Sequence, residues 1–448
     1  SVWPDIKIES WDQYYFFYDG NAQVNLLPKN IFSVNDIRNK LENLTVEDKV
    51  KFVDKMTNSH QVIGEEIPIQ RSTAVTELRS LKSSPEAVMC NVATKSGGKS
   101  YTEHEKRVDV GLIIFPDAIQ VQETSDQWAV GIDFGTTNSS VYFKENKENP
   151  KELEFKNRIN LPYDPGTDEE EIEEVMQAHK EFVPSRIVTT PFMTILRERS
   201  YQESSIENLP FRSNFIYYVD QVLYAIQDLP DDKRPLKFNL KWDEAEQSRT
   251  KVQYFILQSV LQAAVEAAAN GVKKENLTFN FSHPEAYNAN HLRAFKRITR
   301  RAVNIGLADE KYKTQEKTGF ETESISSALY FAKGQEIPFT ENVVTIDIGG
   351  GTSDLSIWQD TKLLWRNSFR LAGKDVLINY LTNNLTLIKE ISGNDDLLLE
   401  SYQTLQSIKN NKSKLANGIE LLVNSPQFGE AFKNRFDIFT GKEKGKEL

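Results

Sequence analysis

Two glycine-rich segments of the chain carry the residue types that bind phosphate. The first is VGIDFGTTNSSVYF at 130–143, and the second is VVTIDIGGGTSDLSIW at 343–358. In each, an apolar β-type run ends in an aspartate, a turn rich in Gly and Thr follows, and a second β-type run leaves. Glycine lets backbone N–H groups approach a polyphosphate because no Cβ stands in the way. The two segments predict paired phosphate-binding hairpins on two related lobes, with a ligand held between them.

Three aspartates accompany the hairpins and indicate a magnesium site. Asp133 and Asp347 end the incoming strands, and Asp354 lies on the strand that leaves the second turn. Opposed carboxylates beside phosphates suit Mg²⁺ held through its water molecules, because Mg²⁺ loses water reluctantly. We therefore expect Asp133 and Asp347 to face the metal. The predicted phosphate-binding residues are Gly135, Thr136, Thr137 and Asn138 in the first hairpin and Gly349, Gly350, Gly351 and Thr352 in the second.

The residues between the hairpins predict alternating helices and strands, which is typical of layered α/β proteins. Apolar residues on one stripe predict a helix over 249–270, and a short strand over 277–281 follows. Further helices are predicted over 290–306 and 321–334. The helix over 290–306 carries a stripe of Arg and Lys, which on an acidic protein is explained more simply as a solvated face than as a phosphate site.

The first 127 residues differ in character and predict a separate, mixed α/β domain whose function the sequence does not reveal. Strands are predicted over 14–18, 86–94 and 107–115, and a helix over 34–43. The segment ATKSGGKS at 93–100 meets the loosest phosphate-loop pattern, but no apolar helix pattern follows it, so a hairpin turn is favoured. The predicted domains are thus 1–127 and 128–448.

Composition excludes several classes of partner and compartment. A chain of 448 residues has room for two or three domains. Its net charge of −11 argues against nucleic acid or an anionic membrane as the main partner. The apolar runs are far shorter than the roughly 20 residues that span a bilayer. Cys90 is the only cysteine and no signal-peptide pattern is present, so a cytoplasmic location is predicted. A start at Ser1 suggests a fragment of a longer protein.

The two hairpins resemble the nucleotide-binding signatures of the superfamily that contains actin, hexokinase and the heat-shock protein 70 chaperones. GIDFGTTNSSV and TIDIGGGTSDLSI are most similar to the chaperone branch. The resemblance extends through 279–287 and 290–306 to 371–375, and so covers residues 128–385. It implies an α/β, two-lobed actin-like ATPase fold with ribonuclease H-like lobes, truncated in lobe two, after the additional N-terminal domain.

The resemblance also implies roles for individual residues. Asp133, Asp347 and Asp354 would surround the metal and the attacking water, and Glu323 would orient or activate that water. Gly373 falls in a segment similar to the family's Gly-Gly-Glu-Asp sequence beyond the second phosphate loop, which makes it a further nucleotide-binding candidate. The implied cofactors are ATP or ADP with Mg²⁺, and the implied reaction is in-line attack on the γ-phosphoryl group. Closing and opening of the lobes would then signal to a protein client or co-chaperone.

Departures from the family pattern leave alternatives open. The chaperones place a catalytic lysine in the first lobe; Lys233, Lys237 and Lys241 lie between the hairpins, but none is in a recognisable motif. The family's glycine-rich adenosine segment is missing, and Lys409 and Lys412 lie where the family contacts adenine. The residues after the predicted ATPase region do not predict the peptide-binding domain of the chaperones, which is expected if the chain is a fragment.

We therefore predict an ATP-binding, ATP-hydrolysing, chaperone-like module. A nucleotide-binding scaffold without turnover and an actin-like filament protein are the alternatives, and a sugar or acetate kinase is less favoured because nothing marks a small-substrate pocket.

Overall fold

The computed structural model of the chain describes the second half of the molecule almost continuously and shorter pieces of the first half. The described residues are 1–19, 24–29, 76–85, 87–94, 106–162, 183–184, 187–197, 214–215, 222–229, 236–242, 246–307 and 317–440. The predicted helix over 34–43, the glycine turn at 95–100 and Lys233 lie outside them. Strands and helices are numbered below among the described residues only.

The described residues before 121 form strands. These are β1 (Val2–Trp3), β2 (Ile6–Lys7), β3 (Tyr14–Asp19), β4 (Val24–Lys29), β5 (Thr76–Leu81), β6 (Ala87–Thr94), β7 (Lys106–Ile114) and β8 (Ile119–Gln120). They pair as β1-β3-β5, β4-β6-β7 and β2-β8. Val2 exchanges two backbone hydrogen bonds with Asn160, of 2.9 and 2.8 Å. Trp3, Phe16 and Phe115 are buried in the same hydrophobic cluster as the sheet that follows, so the sheet β1-β3-β5 shares its core.

The first hairpin lies in a mixed sheet with the order β11-β10-β9-β16-β17. Its strands are β9 (Trp128–Asp133), β10 (Asn138–Glu145), β11 (Lys151–Glu152), β16 (Leu277–His283) and β17 (Thr318–Thr322). β9 runs antiparallel to β10 and parallel to β16, and β16 runs parallel to β17. Because β9, β16 and β17 point the same way, their carboxyl ends bring Asp133 and Glu323 to one edge of the sheet.

Two helices cover this sheet, close to where the sequence predicts them. Helix α2 spans Glu246–Ala269, and helix α3 spans Ala289–Gly306 with Asn288 as its N-cap. The Asn288 side chain accepts hydrogen bonds from two backbone N–H groups of the first turn. α2 is buried on nearly every face from Val252 to Ala268, unlike the one-sided stripe predicted. The reason is that it packs against α3 on one side, while Glu266 binds Arg158 at 2.6 Å on another.

The second hairpin forms an antiparallel sheet, β18-β19-β20. The strands are β18 (Asn342–Ile348), β19 (Ser353–Gln359) and β20 (Lys362–Phe369), and Asp347 pairs with Asp354 across the first two. Helix α4 (Glu323–Leu329), continued by a π turn over Tyr330–Gly334, contacts all three strands. The sequence predicts a helix over 321–334, but the observed helix begins two residues later. Glu321 and Thr322 instead form the end of β17 and pair with β16.

The two sheets differ in how their equivalent apolar positions are covered. Val130, Ile132 and Phe134 of the first sheet are at most 2% exposed, beneath α2 and α3. Val344, Ile346 and Ile348, at the matching positions before the second turn, are 55–67% exposed. Among the described residues, β18 has no counterpart of the parallel strands β16 and β17. The face of β18 that carries these three residues is thus exposed within the part of the chain that is described.

A helical layer follows the second sheet and completes the walls of the cleft. It consists of α5 (Gly373–Asn383), α6 (Leu385–Ser392), α7 (Asp396–Ser407), α8 (Lys412–Val423) and α9 (Pro426–Thr440). Its core joins residues from an earlier region that contains α1 (Val222–Asp228) and the short strands β12 (Phe192–Met193), β13 (Leu196–Arg197), β14 (Asn214–Phe215) and β15 (Leu236–Lys237). No described helix is both long enough and apolar enough to cross a membrane.

Candidate functional site

The two glycine hairpins face each other across a single cleft of about 370 Å³. The predicted phosphate-binding, metal and catalytic residues all line it: Asp133, Gly135, Thr136, Thr137, Asn138, Glu323, Asp347, Gly349, Gly350, Gly351, Thr352, Asp354 and Gly373. The structure adds Lys241, Ile348, Leu377, Ile378, Val423 and Asn424 to the lining. Segments that lie more than two hundred residues apart in the sequence thus converge on one space.

The hairpins touch each other at the floor of the cleft, and this contact requires glycine. A Cβ placed on Gly350 would lie 2.1 Å from Thr137 Oγ1, and one on Gly351 would lie 2.5 Å from Thr136 Oγ1. Both distances are far below any real van der Waals contact. Thr137 is also held by its own backbone, because its carbonyl accepts a 2.7 Å hydrogen bond from Thr194 N–H. The glycines therefore allow the backbone of the second turn to pack directly on the threonine side chains of the first.

Three aspartates lie around the cleft in different environments. Asp133 is exposed and accepts a short hydrogen bond from Ser282 Oγ, while Asp347 Oδ2 accepts one of 2.7 Å from Ser327 Oγ. Asp354 is buried, and burial raises the pKa of its carboxyl group above the ordinary value. Asp354 Oδ1 has no hydrogen-bond partner in the structure. A buried acceptor oxygen without a donor is costly, so this atom is a natural site for a bound water or ligand group.

Lys241 lines the cleft, and it is one of the three lysines between the hairpins that no sequence motif distinguished. Its Nζ lies 2.5 Å from Glu323 Oε1, and both side chains are almost fully buried. Lys241 lies on a single 3₁₀ turn, Leu240–Trp242, and its carbonyl accepts a 3.2 Å hydrogen bond from Tyr287 Oη. Lys237, by contrast, is on β15 and does not line the cleft. The only local indication in the sequence was that this lysine stands between Leu240 and Trp242. That position suggests that the lysine is buried but does not identify the residue it pairs with.

The charges of this pair are coupled to the aspartates. Burial alone would lower the pKa of Lys241, but the negative charges of Glu323, Asp133 and Asp354 raise it above its ordinary value. Burial raises the pKa of Glu323 to about 8; Asp133 and Asp354 add to the rise, and Lys241 opposes it. Lys241 therefore stays positively charged at neutral pH. Glu323 can gain or lose a proton close to neutral pH.

The far wall of the cleft is less polar and comes from the helical layer. Leu377 and Ile378 of α5 and Val423 at the end of α8 line it, beside Asn424. The Asn138 amide donates a 3.2 Å hydrogen bond to Asn424 Oδ1 and so ties the first hairpin to this wall. Lys409 and Lys412, which resemblance placed near adenine, are exposed and do not line the cleft. They lie near the opposite end of α8 from Val423, which is why the predicted contact is not formed.

Comparison with known proteins does not identify a family. No protein-family model and no curated protein sequence matches the chain. Among solved structures, it is similar to MreB5 of Spiroplasma citri bound to ADP, with 12% sequence identity over 69% of this chain and 83% of that chain, and a TM-score of 0.33. It is also similar to MreB 5 of Spiroplasma citri bound to AMPPNP, with 13% identity over 68% and 81% of the two chains and the same TM-score of 0.33. Likeness at this level establishes neither family nor fold, so the assignment of function depends on the cleft itself.

Proposed function

We propose that the chain binds a nucleoside triphosphate with Mg²⁺ between its two glycine hairpins and hydrolyses the terminal phosphoanhydride bond. One observation carries this proposal. Both hairpins, three aspartates and the buried Lys241–Glu323 pair line the same cleft. A phosphate cradle, a cation and a carboxylate that can accept a proton are groups that assist phosphoryl transfer to water.

The first hairpin offers an unused donor for a phosphate oxygen. Thr137 Oγ1 is buried and has no hydrogen-bond partner, although buried hydroxyl groups are normally paired. It faces the position that a Cβ on Gly350 would occupy. A phosphate oxygen entering between the turns would accept from this hydroxyl and from neighbouring backbone N–H groups. The cradle therefore fits a polyphosphate better than it fits an apolar group.

The carboxylates fit a magnesium ion held through water. Among the described residues, no cluster of three or more His, Cys, Asp or Glu side chains is arranged to ligate a metal directly. Asp133 and Asp347, with Asp354 behind them, instead line the cleft beside the hairpins. This arrangement suits Mg²⁺, which commonly keeps several waters and takes one or two carboxylates plus phosphate oxygens. When bound, Mg²⁺ would neutralise charge on the phosphates.

Lys241 and Glu323 would supply the chemistry at the terminal phosphate. The Lys241 cation stabilises the negative charge that spreads over the phosphoryl oxygens in the transition state. Glu323, in its ionised form, accepts a proton from the attacking water as the new P–O bond forms and the bond to the leaving diphosphate breaks. The products are a nucleoside diphosphate and inorganic phosphate.

The helical wall would hold the nucleoside. Leu377, Ile378 and Val423 offer apolar contact for a base, and Asn424 offers an amide for hydrogen bonding. ATP and ADP are the proposed ligands. Because the hairpins and this wall belong to different parts of the chain, binding would draw them together, and release of phosphate would let them separate. A protein client or co-chaperone that responds to this change remains a prediction from the motifs.

Nucleotide binding and turnover test the proposal directly. We expect isothermal titration calorimetry to show Mg-ATP and Mg-ADP binding, and phosphate release to fall by roughly 100-fold in Asp347→Asn, since that change removes one charge from the metal site. The absence of a binding signal at millimolar Mg-ATP would contradict the proposal. Binding with no more turnover than Asp347→Asn would instead support a scaffold without hydrolysis.

The pH dependence of turnover tests the role of Glu323. A pKa of about 8 leaves this carboxyl largely protonated at pH 7, and a general base must be ionised. We therefore expect kcat to rise as the pH increases from 7 to 9, measured at saturating Mg-ATP. Glu323→Gln cannot ionise, so its residual rate should be flat over the same range. A rising limb that persists in Glu323→Gln would show that another group titrates.

A further inference from the structure

Trp242 contacts both halves of the cleft and follows Lys241 directly. Its indole Nε1–H donates a 3.0 Å hydrogen bond to Thr136 Oγ1 in the first hairpin. On the ring face, the guanidinium carbon of Arg370 lies 4.5 Å from the ring centroid. Arg370 follows β20, the last strand of the second sheet. One side chain therefore joins the first phosphate hairpin, the catalytic lysine and the second sheet.

The first-sheet side of this contact is held by aromatic packing. Tyr287 meets the Trp242 ring edge-on with centroids 5.3 Å apart, and His291 does so at 6.0 Å. Tyr287 and His291 stack on each other at 4.1 Å, and Tyr287 Oη also donates to the Lys241 carbonyl. Trp242 is thus fixed relative to Lys241 and α3. Arg370 is exposed, and among these contacts of Trp242 it is the one that comes from the end of the second sheet.

Arg366, which lies within β20, makes a comparable contact that does not involve Trp242. Arg366 Nε lies 2.9 Å from Glu285 Oε2, in the segment that follows β16. This ion pair also joins the two sheets, but it reaches neither phosphate hairpin. Arg366 Nη1 also donates a 3.4 Å hydrogen bond to Thr322 Oγ1, next to Glu323. Arg366 is therefore a control for the Trp242 contact alone, because its loss removes these two contacts and leaves those of Trp242 intact.

We propose that Trp242 and Arg370 are positioning residues that couple closure of the second sheet to the geometry of the reacting phosphate. Approach of Arg370 to the indole face keeps Trp242 in place. Trp242 in turn holds Thr136 through its N–H and fixes the short turn that carries Lys241. Misplacement of catalytic groups by a fraction of an ångström lowers the rate of the chemical step far more than it lowers ground-state binding. The catalytic part of this inference rests on the proposed function.

The contact itself can be tested without nucleotide. Acrylamide quenching of tryptophan fluorescence is measured for the full chain, and the Trp242 contribution is taken as the difference from Trp242→Phe. We expect Arg370→Met to increase the quenching of Trp242, Arg370→Lys to restore it, and Arg366→Met to leave it unchanged. Trp365→Phe, which removes a 43% exposed indole on β20, controls for the other tryptophans. Unchanged quenching in Arg370→Met would overturn the contact.

The positioning role is tested by separating kcat from nucleotide affinity. We expect Trp242→Phe, which keeps an aromatic ring but loses the N–H donor, and Arg370→Met to lower kcat about tenfold, with nucleotide Kd changed less than about threefold. Arg370→Lys should recover most of the rate because it keeps the cation over the ring. Unchanged kcat in both Trp242→Phe and Arg370→Met would overturn the proposal. Failure of the unaltered chain to bind Mg-ATP would instead defeat the proposed function, and the quenching measurement would still decide the contact.

Discussion

Replacement of Lys241 by methionine is expected to lower the turnover number for Mg-ATP by at least about 100-fold, the usual loss when one group that stabilises transition-state charge is removed. Lys241 is the only cation among the residues that line the described cleft. Its Nζ is 2.5 Å from Glu323 and faces the negative charge of Asp133 and Asp354. Single-turnover measurement of phosphate release would isolate the chemical step.

Nucleotide affinity should change much less than the rate in Lys241→Met, because the hairpins and the helical wall remain intact. Lys409→Met is the matched control, since Lys409 is exposed and away from the cleft. Removing one partner of this buried, hydrogen-bonded pair also destabilises the fold, so the thermal unfolding of the double variant Lys241→Met with Glu323→Gln should be measured alongside. If folded Lys241→Met released phosphate at a rate within about threefold of that of the unaltered chain, Lys241 would not be at the reacting phosphate.

Substitution of Gly135 by alanine is expected to remove most nucleotide binding. An added Cβ would lie 1.8 Å from the Asn138 carbonyl oxygen and 3.1 Å from its carbon, both main-chain atoms of the same turn. The turn must therefore open, and its N–H groups lose their direction toward the phosphates. Loss of charge-assisted hydrogen bonds would cost on the order of 3 kcal/mol of binding free energy, or roughly 100-fold in the Kd measured by calorimetry.

Gly429→Ala is the control for this substitution. Gly429 lies on α9, outside the cleft, and nothing is within 4 Å of the Cβ that the change would add. Alanine in a helix interior is favoured over glycine by about 0.5–1 kcal/mol, so this variant should bind nucleotide normally and unfold at a slightly higher temperature. Normal nucleotide affinity in Gly135→Ala would show that the first hairpin does not cradle the phosphates.

Local sequence was sufficient for the elements whose determinants lie within a few residues of one another. The hairpins at Asp133–Asn138 and Asp347–Thr352 were predictable because an apolar run, an aspartate and a Gly-Thr turn each constrain the same short stretch of backbone. The helix α3 was predictable because its apolar and charged residues alternate with helical period, and Asn288 caps its start.

Boundaries and burial were less predictable because they depend on distant segments. Glu321 and Thr322 have no local reason to avoid a helix, yet they continue β17 because Ser282 and His283 of β16 supply parallel strand partners. The sequence predicted one apolar stripe along α2, yet the polar residues Gln253, Gln258 and Gln262 are buried as well. The helix packs against α3, a separate segment further along the chain.

Contiguous residues encode the two phosphate-type hairpins, the three aspartates beside them and the glutamate between, so these features were predictable before the fold was known. The pairing of Lys241 with Glu323, the contacts of Gly350 and Gly351 with Thr137 and Thr136, and the position of Trp242 beneath Arg370 became visible only in the folded chain. The physical reason is that such contacts depend on groups far apart in the chain. Burial, unpaired polar atoms and a carboxyl pKa raised to about 8 arise only once those groups are packed together.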